Sequence, residues 1–327
     1  MKAAVKHLTT ASNCSRNLSV RRLACGLRLP LALPVLTAVL VLATPLAVQA
    51  QFNYAVTNQM VTITGYTGTT PDVVAIPSTI NGLPVISIGD FAFENQDTIT
   101  AVTIPNRATI IGDGAFQFCY SLTNILVDPL NPAYSSVDGV LFNQNQTTLV
   151  EYPGGKLGRG YTVPNSVTSI GADAFEACFS LANVTIGNSV TTIGDWAFNS
   201  CSSLTSIYFQ GNAPSLDGIY VFLSGNVTAY YLPGTVGWSS TFGGIPTALW
   251  SLPYPLVLNS SLGVRANQFG FTVSWATNLN VVVEAATDLK NPNWSPLTTN
   301  ALNNGVVNFT DPQWTNYPSR FYRVRSK

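Results

Sequence analysis

One short phrase recurs four times in this chain: Ile88-Gly89-Asp90-Phe91-Ala92-Phe93, Ile111-Gly112-Asp113-Gly114-Ala115-Phe116, Ile170-Gly171-Ala172-Asp173-Ala174-Phe175 and Ile193-Gly194-Asp195-Trp196-Ala197-Phe198. The first two copies, and the last two, lie 23 residues apart. A fixed period in the twenties is the mark of a solenoid, whose turns bury their apolar faces only on neighbouring turns. Surfaces built by stacking usually bind, so function is sought on exposed positions rather than in one catalytic cleft.

Aligned on Ile-Gly, the copies give columns with separate physical tasks. Phe93, Phe116, Phe175 and Phe198 share one column, and Ile99, Leu122, Leu181 and Leu204 another. Val102, Ile125, Val184 and Ile207 form a third, ahead of Ile104, Val127, Ile186 and Phe209. Each large apolar side chain contributes about 1.5–3 kcal/mol when buried. One turn alone cannot offset its ordering entropy, whereas several stacked turns can.

Asp90, Asp113 and Asp195 follow the glycine and precede a short Ala-Phe stretch. A carboxylate there can cap a helix start, which predicts a helix or 3₁₀ segment of one or two turns. A calcium ladder is the other reading of this column, and Ala172 interrupts it by moving the acid to Asp173. Downstream, Val102-Thr103-Ile104, Leu122 to Val127, Val184-Thr185-Ile186 and Ile207-Tyr208-Phe209 alternate with period two and read as stacked strands. The residues between the apolar ones then face outward on one sheet. Asn124, Leu126, Asn183, Thr185, Ser206 and Tyr208 are therefore the candidate ligand surface, and a merely solvated face is the alternative.

Between the second and third copies the spacing is 59 residues, one period plus a 36-residue insertion near 128–163. Val140-Leu141-Phe142 and Thr148 to Tyr152 predict a β-hairpin projecting from the stack. Gly154-Gly155-Lys156-Leu157-Gly158-Arg159-Gly160 lacks the order of a phosphate-binding loop and opens no helix, so it reads as a flexible turn.

The first fifty residues read as an export signal. Six cations precede an uncharged run from Leu29 to Val48, and Val48-Gln49-Ala50 offers a cleavage site before Gln51. A single membrane anchor is the alternative reading of the same run. Cleavage would remove His7, the only histidine, leaving nine cations against fifteen acids, a net charge near −6. Histidine chemistry is then excluded, nucleic acid is an unsuited partner, and the mature chain is not an integral membrane protein. With the carboxylates scattered or capping, no catalytic residue, metal ligand or cofactor is assigned.

The charge is uneven. Residues 51–250 hold twelve acids and only Arg107, Lys156 and Arg159, whereas residues 251–327 hold six cations against three acids, so two modules are implied. The second, beyond Pro253-Tyr254-Pro255, carries four or five strand-like segments and predicts a small antiparallel β-sandwich. Arg320, Arg323 and Arg325 near its end offer contact with an anionic envelope. Trp275, Trp294 and Trp314 read either as a sugar-stacking platform or, better, as packing. Cys119, Cys178 and Cys201 each lie three residues after a motif phenylalanine; Cys178 and Cys201 could bridge, or the column could be small buried hydrophobes.

The pattern Ile-Gly-x-x-Ala-Phe-x-x-Cys-x-Ser-Leu, spanning Ile111 to Leu122, Ile170 to Leu181 and Ile193 to Leu204, resembles the BspA-type leucine-rich repeat family of bacterial secreted and surface proteins. Ile76-Pro77-Ser78-Thr79-Ile80-Asn81-Gly82-Leu83-Pro84-Val85 at the entrance and Tyr231-Leu232-Pro233-Gly234-Thr235 at the exit are similar to it as well. The copy at Gln96 departs from it by lacking the cysteine, which marks the entrance turn as a cap. The resemblance implies a curved α/β solenoid, mostly short strands with short helices or 3₁₀ turns, followed here by the small all-β sandwich-like module. It also implies a secreted or cell-surface, non-enzymatic role in adhesion or binding of an extracellular protein or glycan. A structural component of a bacterial cell-surface layer, or a secreted hydrolase accessory protein, is the alternative.

Overall fold

The computed structural model describes residues 51–68, 72–218, 220–223, 226–275 and 280–327, without the side chains of 72, 259 and 260. The export signal expected over residues 1–50 lies outside the described residues.

Each turn of the stack contributes a strand to two different faces. One face carries Asp72–Ala75, Ile99–Ile104 and Asn124–Val127 in a three-stranded sheet. It continues, after the insertion, as a six-stranded sheet containing Gly160–Thr162, Asn183–Ile186, Ser206–Phe209, Thr228–Tyr231 and Ile245–Leu249. The other face carries Leu83–Ile88 and Ile110–Ile111, then Thr148–Glu151, Ser169–Ile170, Thr192–Gly194 and Ser215–Asp217. Successive turns pair in parallel and in register: Val184 opposes Ile207, and Ile207 opposes Ala229. The alternation read from the sequence therefore holds, with Val184, Ile186, Ile207 and Phe209 buried and the residues between them outward.

The arc carrying the Ala-Phe phrase is not helical. No α-helix occurs among the described residues, and the only helical element is the 3₁₀ turn Trp314–Asn316 in the C-terminal module. The fold is a β-solenoid, and the expected α/β solenoid is corrected. Two observations explain why. Alternate amides of the arc donate to the next turn instead of along a helix: Phe91 N to Asp113 O, Phe93 N to Ala115 O and Asn95 N to Gln117 O, at 2.8–3.0 Å. Asp173, Phe175 and Ala177 repeat the pattern onto Asp195, Ala197 and Asn199. In addition, each arc has left-handed residues at two fixed positions, Phe91, Gly114, Asp173 and Trp196, then Asn95, Phe118, Ala177 and Ser200, all with φ between 55° and 59°. A left-handed residue ends a right-handed helix, and for non-glycine residues it costs roughly 1–2 kcal/mol. Hydrogen bonds between turns and the stacked aromatic column compensate.

The aspartates consequently do another job. Asp90 Oδ1 accepts from Asp113 N at 3.1 Å, and Asp195 Oδ1 accepts from Tyr220 N at 3.0 Å, both on the following turn. They staple turns together rather than cap a helix. Among the described residues no three acidic, histidine or cysteine side chains gather where they could hold a metal ion.

The phenylalanine column forms a ladder. Phe93 and Phe116 stack at 5.4 Å, and Tyr152, Phe175, Phe198 and Phe222 follow one another at 5.2, 4.9 and 5.5 Å. Behind it the thiols are reduced and buried. Cys119 Sγ donates to Phe93 O and Cys201 Sγ to Phe175 O, each at 2.9 Å, and Cys178 Sγ reaches Tyr152 O at 3.6 Å. Each satisfies the carbonyl of the ladder residue one turn earlier. Where the cysteine is missing, Gln96 Nε2 donates to Tyr66 O at 3.1 Å and does the same work at the entrance. Burial pushes the Cys119 thiol up to about 12, which suits a packing group and not a nucleophile.

The insertion does not project from the stack, contrary to expectation. Val140–Asn143 pairs antiparallel with Tyr134–Val137 and with Thr148–Glu151, which in turn pairs in parallel with Ser169–Ile170. The hairpin thus lies within the wall. Its residues Val140, Leu141 and Phe142 are all buried, Leu141 in the entrance half of the core and the other two in the exit half. Buried Asn131 anchors it, donating through Nδ2 to Pro105 O and Ala108 O at 2.8 Å and accepting through Oδ1 from Ala133 N and Tyr134 N.

Residues 251–327 form two three-stranded antiparallel sheets. Leu256–Arg265, Gln268–Ser274 and Val306–Asp311 make one; Ser295–Asn300, Val281–Ala286 and Phe321–Ser326 make the other. Phe269, Phe271, Phe309 and Tyr322 fill the space between them. Ser274 Oγ donates to Pro233 O at 2.6 Å, tying this module to the last turns of the stack.

Candidate functional site

The six outward residues expected to line a ligand surface fall into two groups. Asn124 and Leu126 lie on the three-stranded sheet before the insertion, whereas Asn183, Thr185, Ser206 and Tyr208 lie on the six-stranded sheet after it. The hairpin separates them: Ile125 N bonds to Gly139 O and Val127 N to Ser136 Oγ, so segment 134–140 occupies the edge where a further turn would pair. Leu126 is exposed there, away from the tyrosine.

On the six-stranded sheet the register is direct. Asn183, Ser206 and Thr228 form one outward row; Thr162, Thr185, Tyr208, Tyr230 and Ala248 form the next. Tyr208 and Tyr230 stack at 5.1 Å with 21° between their planes, and Tyr208 meets Trp250 at 4.8 Å and 38°. The three half-buried rings make a ridge that sequence reasoning found only in part. Tyr208 was legible from its column, but Tyr230 belongs to a turn without the Ile-Gly phrase. Trp250 follows the last strand of the sheet and is placed by its amide, which donates to Tyr231 O at 2.7 Å. Tyr208 meets a ring of each of the other two, so the faces in contact are occupied within the ridge.

The arcs form a second surface, which is acidic. Glu176 is buried and takes hydrogen bonds from Gln117 Nε2 and, at 2.7 Å, from Asn199 Nδ2. Burial, reinforced by Glu176, Asp113 and Asp195, lifts the Asp173 carboxyl to about 6. Burial next to Asp173 and Glu176 also holds Glu151 well above the ordinary carboxylate range. Asp173 and Glu151 are raised first by burial and then by the like charges that the turns pile in one strip. An acid whose folded pKa is raised binds more protons folded than unfolded, so stability rises as pH falls through about 6 toward the unfolded value near 4. The melting temperature is expected to be higher at pH 5 than at pH 8 by a few degrees. Asp173→Asn, which keeps a residue tolerant of left-handed φ, should flatten that dependence; a melting temperature that falls on acidification over this range would refute the assignment.

Exposed Tyr120 and Phe179 meet at 5.1 Å, and Gly155 packs directly on the neighbouring backbone, where a Cβ would lie 2.5 Å from Tyr120 O and 2.6 Å from Ser121 C. The start of the glycine-rich segment is thus bonded into the stack, Gly155 N donating to Leu122 O at 2.9 Å.

A family model described as the BspA type leucine rich repeat region matches residues 74–154 and 159–238 with six copies. The repeat region belongs to that family. The six copies exceed the four visible as Ile-Gly phrases, since the entrance and exit turns and the insertion depart from the phrase while keeping the coil. BspA-type repeats of bacterial surface proteins suggest a protein-binding, generally non-catalytic role and a surface or secreted location. No curated protein matches the chain significantly. Among solved structures, a leucine-rich repeat protein from Eubacterium ventriosum is similar at 25% identity over 49% of this chain and 47% of its own, with a TM-score of 0.39. The T. pallidum leucine-rich repeat protein is 29% identical over 49% of this chain and 69% of its own, TM-score 0.31. A leucine rich cell surface protein from Faecalibacterium prausnitzii is 18% identical over 50% and 77%, TM-score 0.30. The chain spans under half the length of the Eubacterium ventriosum protein. No helix among the described residues is long and apolar enough to cross a membrane.

In the C-terminal module the tryptophans do not converge. Trp275 is buried with Nε1 donating to Leu252 O at 2.6 Å, Trp314 Nε1 donates to Asn267 O at 3.2 Å, and Trp294 lies under Arg323. Nor are the three arginines one exposed row. Arg320 is only partly exposed, its Nε 2.8 Å from Asp311 Oδ2, and it precedes the terminal strand. Only Arg323 and Arg325 stand outward.

Proposed function

We propose that the protein is a secreted, non-catalytic binding protein that holds an extracellular protein partner on the outward face of its six-stranded sheet. The ridge of Tyr208, Tyr230 and Trp250 carries this reading. Aromatic rings held rigidly by their neighbours supply contact area at little entropic cost, and tyrosine and tryptophan are enriched among residues that dominate interfaces. The flanking Asn183, Thr185, Ser206 and Thr228 provide a polar rim. A protein is favoured over a stacked sugar because ring faces already meet each other within the ridge.

The reading takes the chain as exported and cut before Gln51, so the test uses the secreted product as bait on surface extracts. Tyr208→Ala with Tyr230→Ala is expected to weaken capture of the retained partner by tenfold or more while shifting the melting temperature little, since these rings lie outside the core. Leu126→Ala, on the separate sheet, should leave capture unchanged. Unaltered capture by the tyrosine pair, or loss with Leu126→Ala alone, would move the site to the entrance half.

A further inference from the structure

We propose that the free edge of the terminal strand Phe321–Ser326 is a docking site for an extended acidic polypeptide segment. The strand pairs on one side with Val281–Ala286 and, among the described residues, with no strand on the other. An unpaired edge presents a row of backbone donors and acceptors that a second extended chain can complete. Arg323 and Arg325 are two residues apart and so point to the same face, about 6.6–6.8 Å apart along the strand. An extended peptide with a carboxylate at every second residue has the same spacing.

The arginines are pre-arranged for that task. Glu284, buried on the central strand, takes Nε of Arg323 on one oxygen at 2.6 Å and Nε of Arg325 on the other at 3.0 Å. Arg323 is also held over the Trp294 ring, 4.6 Å from its centroid. Both side chains nonetheless remain 44% and 49% exposed. With Nε of both engaged and Nη1 of Arg325 donating to Ser326 O at 3.1 Å, the outer donors are the remaining η nitrogens, and one carboxylate shared by two guanidiniums leaves a local positive charge. Fixing these long side chains before binding removes the ordering cost a partner would otherwise meet. The alternating carboxylates of the acidic peptide would lie opposite the arginines as cross-strand pairs. A polysaccharide could answer the charge but not the backbone ladder, which is why a polypeptide is the occupant named.

The test is fluorescence anisotropy of a labelled peptide of alternating Thr and Glu titrated with the full protein, beside a Thr-Lys peptide, an acidic peptide N-methylated at alternate amides, and polygalacturonate as competitor. Saturable binding of the Thr-Glu peptide alone is expected. It should weaken as salt rises from about 0.05 to 0.5 M, and by about tenfold or more in Arg323→Gln with Arg325→Gln, as two charge-assisted contacts are lost. Arg323→Lys with Arg325→Lys keeps the charge; a severalfold loss in this variant at an unchanged melting temperature assigns the effect to the guanidinium forks. Three outcomes would overturn the proposal: no binding of the Thr-Glu peptide, equal binding of the N-methylated peptide, or displacement by polygalacturonate with the peptide itself indifferent to the arginines. Binding that rises when the arginines are removed would also overturn it, since the pair would then be guarding the edge.

Discussion

Phe175→Ala is expected to destabilise the stack by about 3–5 kcal/mol, the range for emptying a fully buried aromatic site. Phe175 is completely inaccessible and sits mid-ladder, 4.9 Å from Phe198 with 7° between planes and 5.2 Å from Tyr152. Tyr161 closes a third side at 5.9 Å. Its amide and carbonyl also serve the neighbouring turns, accepting from Cys201 Sγ and donating to Ala197 O. The cavity cannot collapse without tilting a whole turn, because each ring's position is set by parallel pairing on both flanks. Chemical denaturation read by tryptophan fluorescence measures the loss. A loss under about 1 kcal/mol would show that the ladder closes up around small side chains, which close-packed interiors rarely permit.

How far the sequence discloses this molecule depends on which forces leave local traces. The apolar columns do, because a strand's side chains alternate and a turn repeats: the buried identities of Val184, Ile186, Ile207 and Phe209 and the outward position of Tyr208 follow from period alone. The shape of the arc does not. Asp-x-Ala-Phe carries a helix-start signature, but the decisive bonds, such as Phe93 N to Ala115 O, run to a neighbour 22 residues away, and local propensity has no knowledge of that partner. The left-handed positions give one hint, Gly114, which the same column hides elsewhere behind Phe91, Asp173 and Trp196. The place of the insertion is hidden for a similar reason. Val140-Leu141-Phe142 is continuously apolar, and a strand in which three successive residues are buried belongs inside a wall rather than on a projecting hairpin. The division of the candidate surface into two sheets follows from that placement. At the other end, the exposed appearance of Arg320 dissolved because Asp311, nine residues upstream, is itself buried against Tyr322 Oη at 2.8 Å. An ion-pair partner on another element is invisible to charge counting.

Gly194→Ala is expected to be the most disruptive small substitution in the chain. The glycine of the Ile-Gly phrase is not required for an unusual φ, since Gly194 lies outside the left-handed set. It is required by the neighbouring turn. A methyl group there would meet Ala172 N and lie 2.7 Å from Gly171 C, both backbone atoms of the turn before it. Gly112 repeats the arrangement against Asp90 N at 2.5 Å and Gly89 C at 2.7 Å. A rotating side chain could give way; a main chain bonded on both sides cannot. Relief would require the turns to separate locally, which stretches the parallel pairing of Ile170 with Ile193 and lifts the Asp173 N to Asp195 O bond just beyond. Overpacking typically costs about 1–3 kcal/mol when side chains absorb it, so a backbone collision should reach or exceed the upper end. The control is Gly82→Ala, at a position with open space around it and φ of 80°, where the cost is conformational and nearer 1 kcal/mol. Thermal unfolding of the two variants should therefore place Gly194→Ala well below Gly82→Ala. The reverse order would mean that the turns slide past one another freely, and that the recurring glycine is a feature of the sequence with no steric cause.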